Sequence, residues 1–393
     1  MAVNRLQAEL ERQRAAGAVN NLVDTNFHNA GFMPPRAVLE RAFREYLDTR
    51  GYEPHPQGLL SAREAISAYY AAAGVPIGAE DLILTASTSE AYGLIFNRLT
   101  SPGDNVLLPA PGYPLFEYIA GFNHLECRYY RTRLDEGFGI RGDRIEAIMD
   151  ERTRVIVLIS PHNPTGHVAT EAELDTLCRI AAERNALLLC DEVFDSFLHT
   201  VPALPRPASR SVESGKPGLK PLVLTLNGVS KMFAAPDLKL GWIAVSGPEE
   251  PRGSMVEELA FANDMYLSCS TPAQTMLPHL FDGTGDFRQE MQKTIEERRS
   301  ALLEGLQRIP GIEVLEPEGG IHCVLRVPES PLDDEELALE LLRQEQQYVH
   351  PGYFYRLEEE RCLVLSFLPP AERLREGARA IRRILQQTLG GTP

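Results

Sequence analysis

Between residues 82 and 245 the hydrophobic positions fall into short, nearly unbroken runs: LILTAS, NVLLPA, VIVLIS, ALLLCDE, PLVLTL and GWIAVS. Strands buried on both faces need runs of this length without polar alternation, and stretches of helical spacing lie between them. The segment predicts a mainly parallel sheet covered by helices on both faces, an α/β fold. SEAYGLIFNRL and EAELDTLCRIAAERN read as crossover helices. The second has apolar residues at i, i+3 and i+4, Thr170 as its cap and Glu173 three residues on, the spacing of a capping box.

The stretch 202–221, rich in Pro, Ser and Gly, reads as a surface excursion between strands. Beyond about residue 287 the rhythm changes to a long charged helix, then GIEVLEPEGGIHCVLRV, another helix, the strand CLVLSFL and a last helix. This predicts a smaller α+β domain, completed by the N-terminal helix and the segment 34–47. The expected division is 48–285 for the large domain and 1–47 with 286–393 for the small one.

A chain of 393 residues is long enough for two such lobes. With 39 basic against 55 acidic residues its formal charge is −16, a field that repels a phosphate backbone and argues against nucleic acid as a partner. The six cysteines, Cys127, Cys178, Cys190, Cys269, Cys323 and Cys362, show no paired C-x-x-C spacing and sit mostly in apolar strings, so reduced thiols are expected rather than disulfides or metal ligands. The N-terminal pattern MAVNRLQAELERQRAAG lacks the apolar core of a signal peptide, and no apolar run approaches the ~18 residues of a membrane span. The expectation is a cytoplasmic protein with no membrane partner.

Ligands of open α/β sheets bind beyond the carboxyl ends of the strands. Four strings occupy such places: TASTSEAY, SPHNPTGHV, DEVFDSF and NGVSKMFAAPDLKLGW. Singly each has an ordinary explanation: a helix cap, an Asn-Pro turn, a carboxylate beside a surface charge, a solvated lysine. In their order and content, over nearly the whole chain, they resemble the class I/II aminotransferases, enzymes that use pyridoxal 5′-phosphate and fold with a mainly parallel seven-stranded sheet between helices.

The resemblance implies a role for each matching residue. Lys231 would carry the cofactor as a Schiff base and move the proton between substrate and cofactor carbons. Asp191 would pair with the ring nitrogen, and Asn163 would donate to the phenolic oxygen. Ser87, Thr88 and Ser89, between a strand and a helix, would hold the phosphate, with Ser230 and Lys239 beside them. Tyr113 would stack on the ring. Tyr52 matches a tyrosine that reaches the phosphate of a neighbouring subunit, which implies a homodimer with shared active sites.

Departures accompany these matches. Phe194 stands where relatives usually have a tyrosine, Ser87 and Gly228 where they have glycine and serine, and Lys239 where they have an arginine, a two-pronged donor that lysine cannot copy. The largest is LVLSF, with Val364 at the position of the arginine that grips the substrate α-carboxylate. Arg361 and Arg356 are the nearby cations that could replace it. The expected activity is transfer of an amino group between an amino acid or amine and an oxo acid. A lyase, decarboxylase or racemase of the same fold is the alternative, since the same lysine, aspartate and asparagine serve all of these. A cofactor-binding regulator without catalysis is a third reading.

Overall fold

The computed structural model describes residues 4–51, 54–213, 221–267, 269–357 and 361–389. The six apolar runs form the strands expected of them: β1 (Leu82–Thr85), β2 (Asn105–Ala110), β4 (Thr153–Ile159), β5 (Leu187–Asp191), β6 (Val223–Gly228) and β7 (Gly241–Ser246). By contrast β3 (Glu126–Arg131), ECRYYR, is a strand at the sheet edge that the hydrophobic pattern did not mark, because its edge position leaves polar side chains exposed. Among the described residues these seven make one sheet in the order β1-β7-β6-β5-β4-β2-β3. Only β7 runs against the rest, antiparallel to both β1 and β6.

The period-two alternation of a strand explains why these runs have no polar face. Val155, Val157 and Ile159 of β4 pack on one side with Ala91, Ile95 and Phe96 of the helix Thr88–Leu99. Ile156 and Leu158 point the other way, onto Leu174, Leu177 and Ile180 of the helix Glu171–Glu183. Both faces are covered, so both parities must be apolar. The capping box is formed as expected: Thr170 Oγ1 accepts from Glu173 N at 3.3 Å and Thr170 N donates to Glu173 Oε2 at 2.7 Å.

A second sheet, all antiparallel, is built from the C-terminal third. Its strands are β8 (Glu313–Val314), β9 (His322–Arg326), β10 (His350–Pro351) and β11 (Cys362–Ser366), in the order β10-β11-β9-β8. Leu325, Leu363 and Leu365 meet Leu302 and Leu306 of the helix Gly285–Gln307 and Ile381 of the helix Ala371–Leu389 in one apolar cluster. The N-terminal helix Arg5–Ala16 joins it through Leu6 and Leu10.

The segment 34–47 behaves differently from its expected place with this second sheet. Its helix, Arg36–Asp48, lies against the helix Thr271–Gly283, and Val38 and Leu39 pack on the cluster of Leu82, Trp242 and Leu277 beside the large sheet. Val38, Leu39, Ala42, Phe43 and Tyr46 share one side of the helix, so periodicity marks a buried face but not the partner that covers it.

The Pro-rich stretch 202–221 also departs from a simple surface excursion where it is described. Arg206 is buried, pairing with Glu192 and lying 3.1 Å from Asp195, over the rings of Tyr69 and Tyr70. Asp195 also accepts from Asn227 Nδ2 at 2.9 Å, and Asn227 Oδ1 accepts from Gly228 N at 2.7 Å. Two carboxylates in the interior depend on one guanidinium, and removing a partner from such a group costs about 3–5 kcal/mol. Arg206→Ala is therefore expected to lower the unfolding free energy by about that amount, read from the urea midpoint; an unchanged midpoint would show that water or rearrangement satisfies Glu192 and Asp195.

Candidate active site

The ends of β1, β4, β5 and β6 open on one cavity of about 440 Å³. Ser87, Thr88, Ser89, Tyr113, Asn163, Asp191, Ser230, Lys231 and Lys239 all line it. Tyr52 lies outside the described residues. Sequence separations of up to about 150 residues are closed because parallel strands present all their carboxyl ends on one edge.

Each wall has a local cause. Ser87 caps the helix Thr88–Leu99, its Oγ accepting from Glu90 N at 3.1 Å, so the helix's free N–H groups face the cavity edge as an anion site. Asn163 follows β4, and its buried Oδ1 has no hydrogen-bond partner among the described residues. The turn it begins closes through Gly166, at φ +73°; a Cβ there would lie 2.7 Å from Gly319 O, so no other residue fits this approach. Lys231 sits in the helical turn Val229–Met232 directly after β6, its Nζ 5.5 Å from the centre of the Phe27 ring. Gly228 has a packing reason as well, since a Cβ there would come within 2.8 Å of Leu240 O.

The electrostatics separate the two central groups. Burial pushes the Asp191 carboxyl up to about 6, against the pull of Val193 N–H and of the Tyr92 hydroxyl, which donates to Oδ2 at 3.2 Å. Burial also lowers the Lys231 amine from the ordinary lysine range, which favours the neutral, nucleophilic form. A buried acid with a raised value and an amine with a depressed one on the same cavity are groups suited to proton transfer.

Neither arginine considered for the substrate reaches this cavity. Arg361 donates to Pro328 O at 3.2 Å and to Ser330 O. Arg356 pairs with Glu117 at 2.6 Å, stacks 4.2 Å from the centre of the Tyr129 ring and lines a neighbouring crevice. Val364 is fully buried in an apolar cluster. The cavity wall instead contains Val23, Thr25, Tyr92, His322, His350 and Tyr355, which sequence reasoning did not select. Val23 and Thr25 carry no motif. His322 had one signal, a polar ring inside the apolar run after GG, in a strand otherwise built for burial.

An ion cluster ties the Asn163 turn to the approach to β9. His167 lies 3.1 Å from carboxylate oxygens of both Glu173 and Glu318, and Glu318 Oε2 accepts from Val168 N at 2.8 Å. Burial opposes the His167 charge, but the hydrogen bonds to the two carboxylates prevail and raise it to about 9. A histidine raised from ~6.5 to that value contributes about 3 kcal/mol below pH ~6.5, lost as pH rises through 9. The stability difference between wild type and His167→Gln should thus shrink by about 3 kcal/mol between pH 6 and pH 10 in urea titrations. A difference independent of pH would mean that the contacts act as neutral hydrogen bonds.

A family model described as aminotransferase class I and II matches residues 23–381. The chain belongs to that family. This aminotransferase is 27% identical over 377 residues to the glutamate-pyruvate aminotransferase AlaA of Haemophilus influenzae, covering 93% of this chain and 91% of the relative. It is 29% identical over 361 residues to the alanine aminotransferase of Mycobacterium tuberculosis, covering 90% and 82%. Among solved structures, an alanine aminotransferase from Pyrococcus furiosus matches with a TM-score of 0.88 at 26% identity, over 96% of this chain and 95% of that one. The sheet order and strand directions above are thus those of an aminotransferase fold.

Proposed function

We propose that this enzyme uses pyridoxal 5′-phosphate, bound through Lys231, to move an amino group from a small amino acid such as alanine or glutamate to an oxo acid. The observation that carries the reading is the convergence of Lys231, Asp191, Asn163 and the Ser87-capped helix N-terminus on a single cavity. The residues fit such a group. An acid for the ring nitrogen is present in Asp191, the buried Asn163 Oδ1 has no hydrogen-bond partner among the described residues, which leaves the amide available to a bound group, and an anion site waits at the helix end. The substrate suggestion comes from the names of the relatives.

When bound, the cofactor supplies an electron sink for the carbanion left by proton loss at the substrate Cα. Lys231 would hold its aldehyde carbon and then carry the proton from Cα, a task suited to an amine whose burial lowers its basicity. Asp191 would keep a proton on the ring nitrogen, and Asn163 Nδ2 would donate to the phenolic oxygen. Ser87, Thr88, Ser89, Ser230 and Lys239 would bind the phosphate, and the Tyr113 ring would cover one face. Phe194 can donate no hydrogen bond, so Asn163 would hold the phenolic oxygen without the usual tyrosine.

A homodimer is supported by the exposed apolar side chains of Tyr118, Phe122, Phe261 and Met265, each at least 60% exposed. Six free cysteines suit a reducing compartment such as the cytoplasm. The function is tested by a half reaction: purified yellow protein, given alanine or glutamate without acceptor, should lose its colour as the cofactor becomes the amine, and pyruvate should restore it. Colour that persists with every amino acid, or product release without the amine form, would exclude transamination in favour of a lyase, decarboxylase or racemase.

A further inference from the structure

His322, His350 and Tyr355 are polar residues of the cavity wall that the cofactor assignments do not use. All come from the second sheet and its turn: His322 opens β9, His350 lies in β10, and Tyr355 ends the turn Gly352–Tyr355. Val364 of β11 pairs with His350 and with Val324, and its side chain packs with Tyr355, Leu134 and Phe138. The place from which an arginine of position 364 would rise is thus apolar and capped by Tyr355, whose hydroxyl meets His350 Nδ1 at 3.0 Å.

His322 is 5% exposed, yet neither ring nitrogen has a hydrogen-bond partner among the described residues. Its ring stands edge-on to Phe194 at 6.2 Å. Buried polar groups left without a protein partner are met by water or a ligand. Burial, then the charges of Lys231 and His350, push His322 down to about 3, and burial holds His350 at about 4. Both rings are neutral near pH 7, each with one N–H donor. None of these three wall residues is a carboxylate, so nothing among them repels an anion.

We propose that His322 and the His350–Tyr355 pair form the subsite that hydrogen-bonds the substrate's carboxylate, in place of a guanidinium. The inference rests on the aminotransferase reading above and narrows it: the substrates are small α-amino and oxo acids whose carboxylate is held by neutral donors. A carboxylate accepts only, and imidazole N–H and phenol O–H groups supply what it needs. Without the two-pronged ionic contact, binding is weaker than an arginine would give.

The test compares wild-type, His322→Phe, His322→Gln and His350→Phe holoenzymes. Rates of the donor half reaction with alanine and with ethylamine, measured without any oxo acid, are set beside calorimetric titration with propanoate, a carboxylate that cannot turn over. Each phenylalanine variant should raise the half-saturating concentration of alanine and Kd for propanoate by about tenfold or more, with ethylamine changed by less than about threefold. His322→Gln, which keeps a donor, should recover part of the alanine loss. Unchanged propanoate affinity in both phenylalanine variants, or equal losses for alanine and ethylamine, would overturn the subsite. A wild-type enzyme that transaminates no amino acid would overturn the functional reading instead, and the propanoate titration would still decide the role of the histidines.

Discussion

Lys231→Ala is expected to abolish turnover, by about 10⁴-fold or more, while the protein keeps its fold. The substitution removes the nucleophile that would hold the cofactor and the base that would move the Cα proton, two functions carried by one amine. Its structural cost is small. Nζ makes no salt bridge among the described residues, and the residue is half-buried. The same variant should show no borohydride-stable adduct, whereas wild type should give one that maps to Lys231. Residual activity within about a hundredfold of wild type, or an adduct on another lysine, would remove Lys231 from the centre of the site; a 10²-fold loss is the low end for one displaced acid–base group.

Asp191→Asn is expected to lower kcat while leaving the cofactor bound. Hydrogen bonds to charged groups contribute about 1.5–3 kcal/mol, so loss of the carboxylate opposite the ring nitrogen should slow the reaction about 10- to 150-fold. Stability should move the other way. A carboxyl whose folded value is raised to about 6 carries no penalty below its unfolded value of ~3.9, and destabilises the fold increasingly as pH rises through 6. The neutral amide escapes that penalty, so at pH 8 the cofactor-free variant should unfold at a urea concentration no lower than wild type. A slow variant that is also much less stable would instead make Asp191 a support for Val193 and Tyr92.

Most of the large sheet could be read from the chain because a strand covered on both faces has no polar positions to confuse its pattern, as in VIVLIS and ALLLC. The helix Glu171–Glu183 was equally plain, since its cap and its apolar stripe are local features. Lys231, Asp191 and Asn163 were singled out by the family resemblance of the strings around them. Each lies at or within four residues of the end of a strand, and parallel strands bring such positions to one edge whatever lies between them.

Where the chain was ambiguous, burial depended on partners distant in sequence. Arg206 lies in a Pro-rich stretch that looks solvated, yet Glu192, Asp195 and the rings of Tyr69 and Tyr70 enclose it. Arg356 and Arg361 carry the charge that a carboxylate site would need, but Glu117 and the carbonyls of Pro328 and Ser330 take them elsewhere. The helix Arg36–Asp48 has an apolar face that its sequence assigns to no partner, and only its packing on Thr271–Gly283 shows what covers it.

By itself, then, the sequence determined most of the sheet and the crossover helix with its cap, because these follow from local spacing, while the lysine, aspartate and asparagine at the strand ends were singled out by their resemblance to a family pattern and not by spacing alone. The tertiary structure alone decided which residues complete the cavity. His322, His350, Tyr355, Val23, Thr25 and Phe27 meet there only after the second sheet has packed beside the first, and the physical reason is that burial and electrostatic environment belong to the assembled neighbourhood of a side chain, not to its place in the chain.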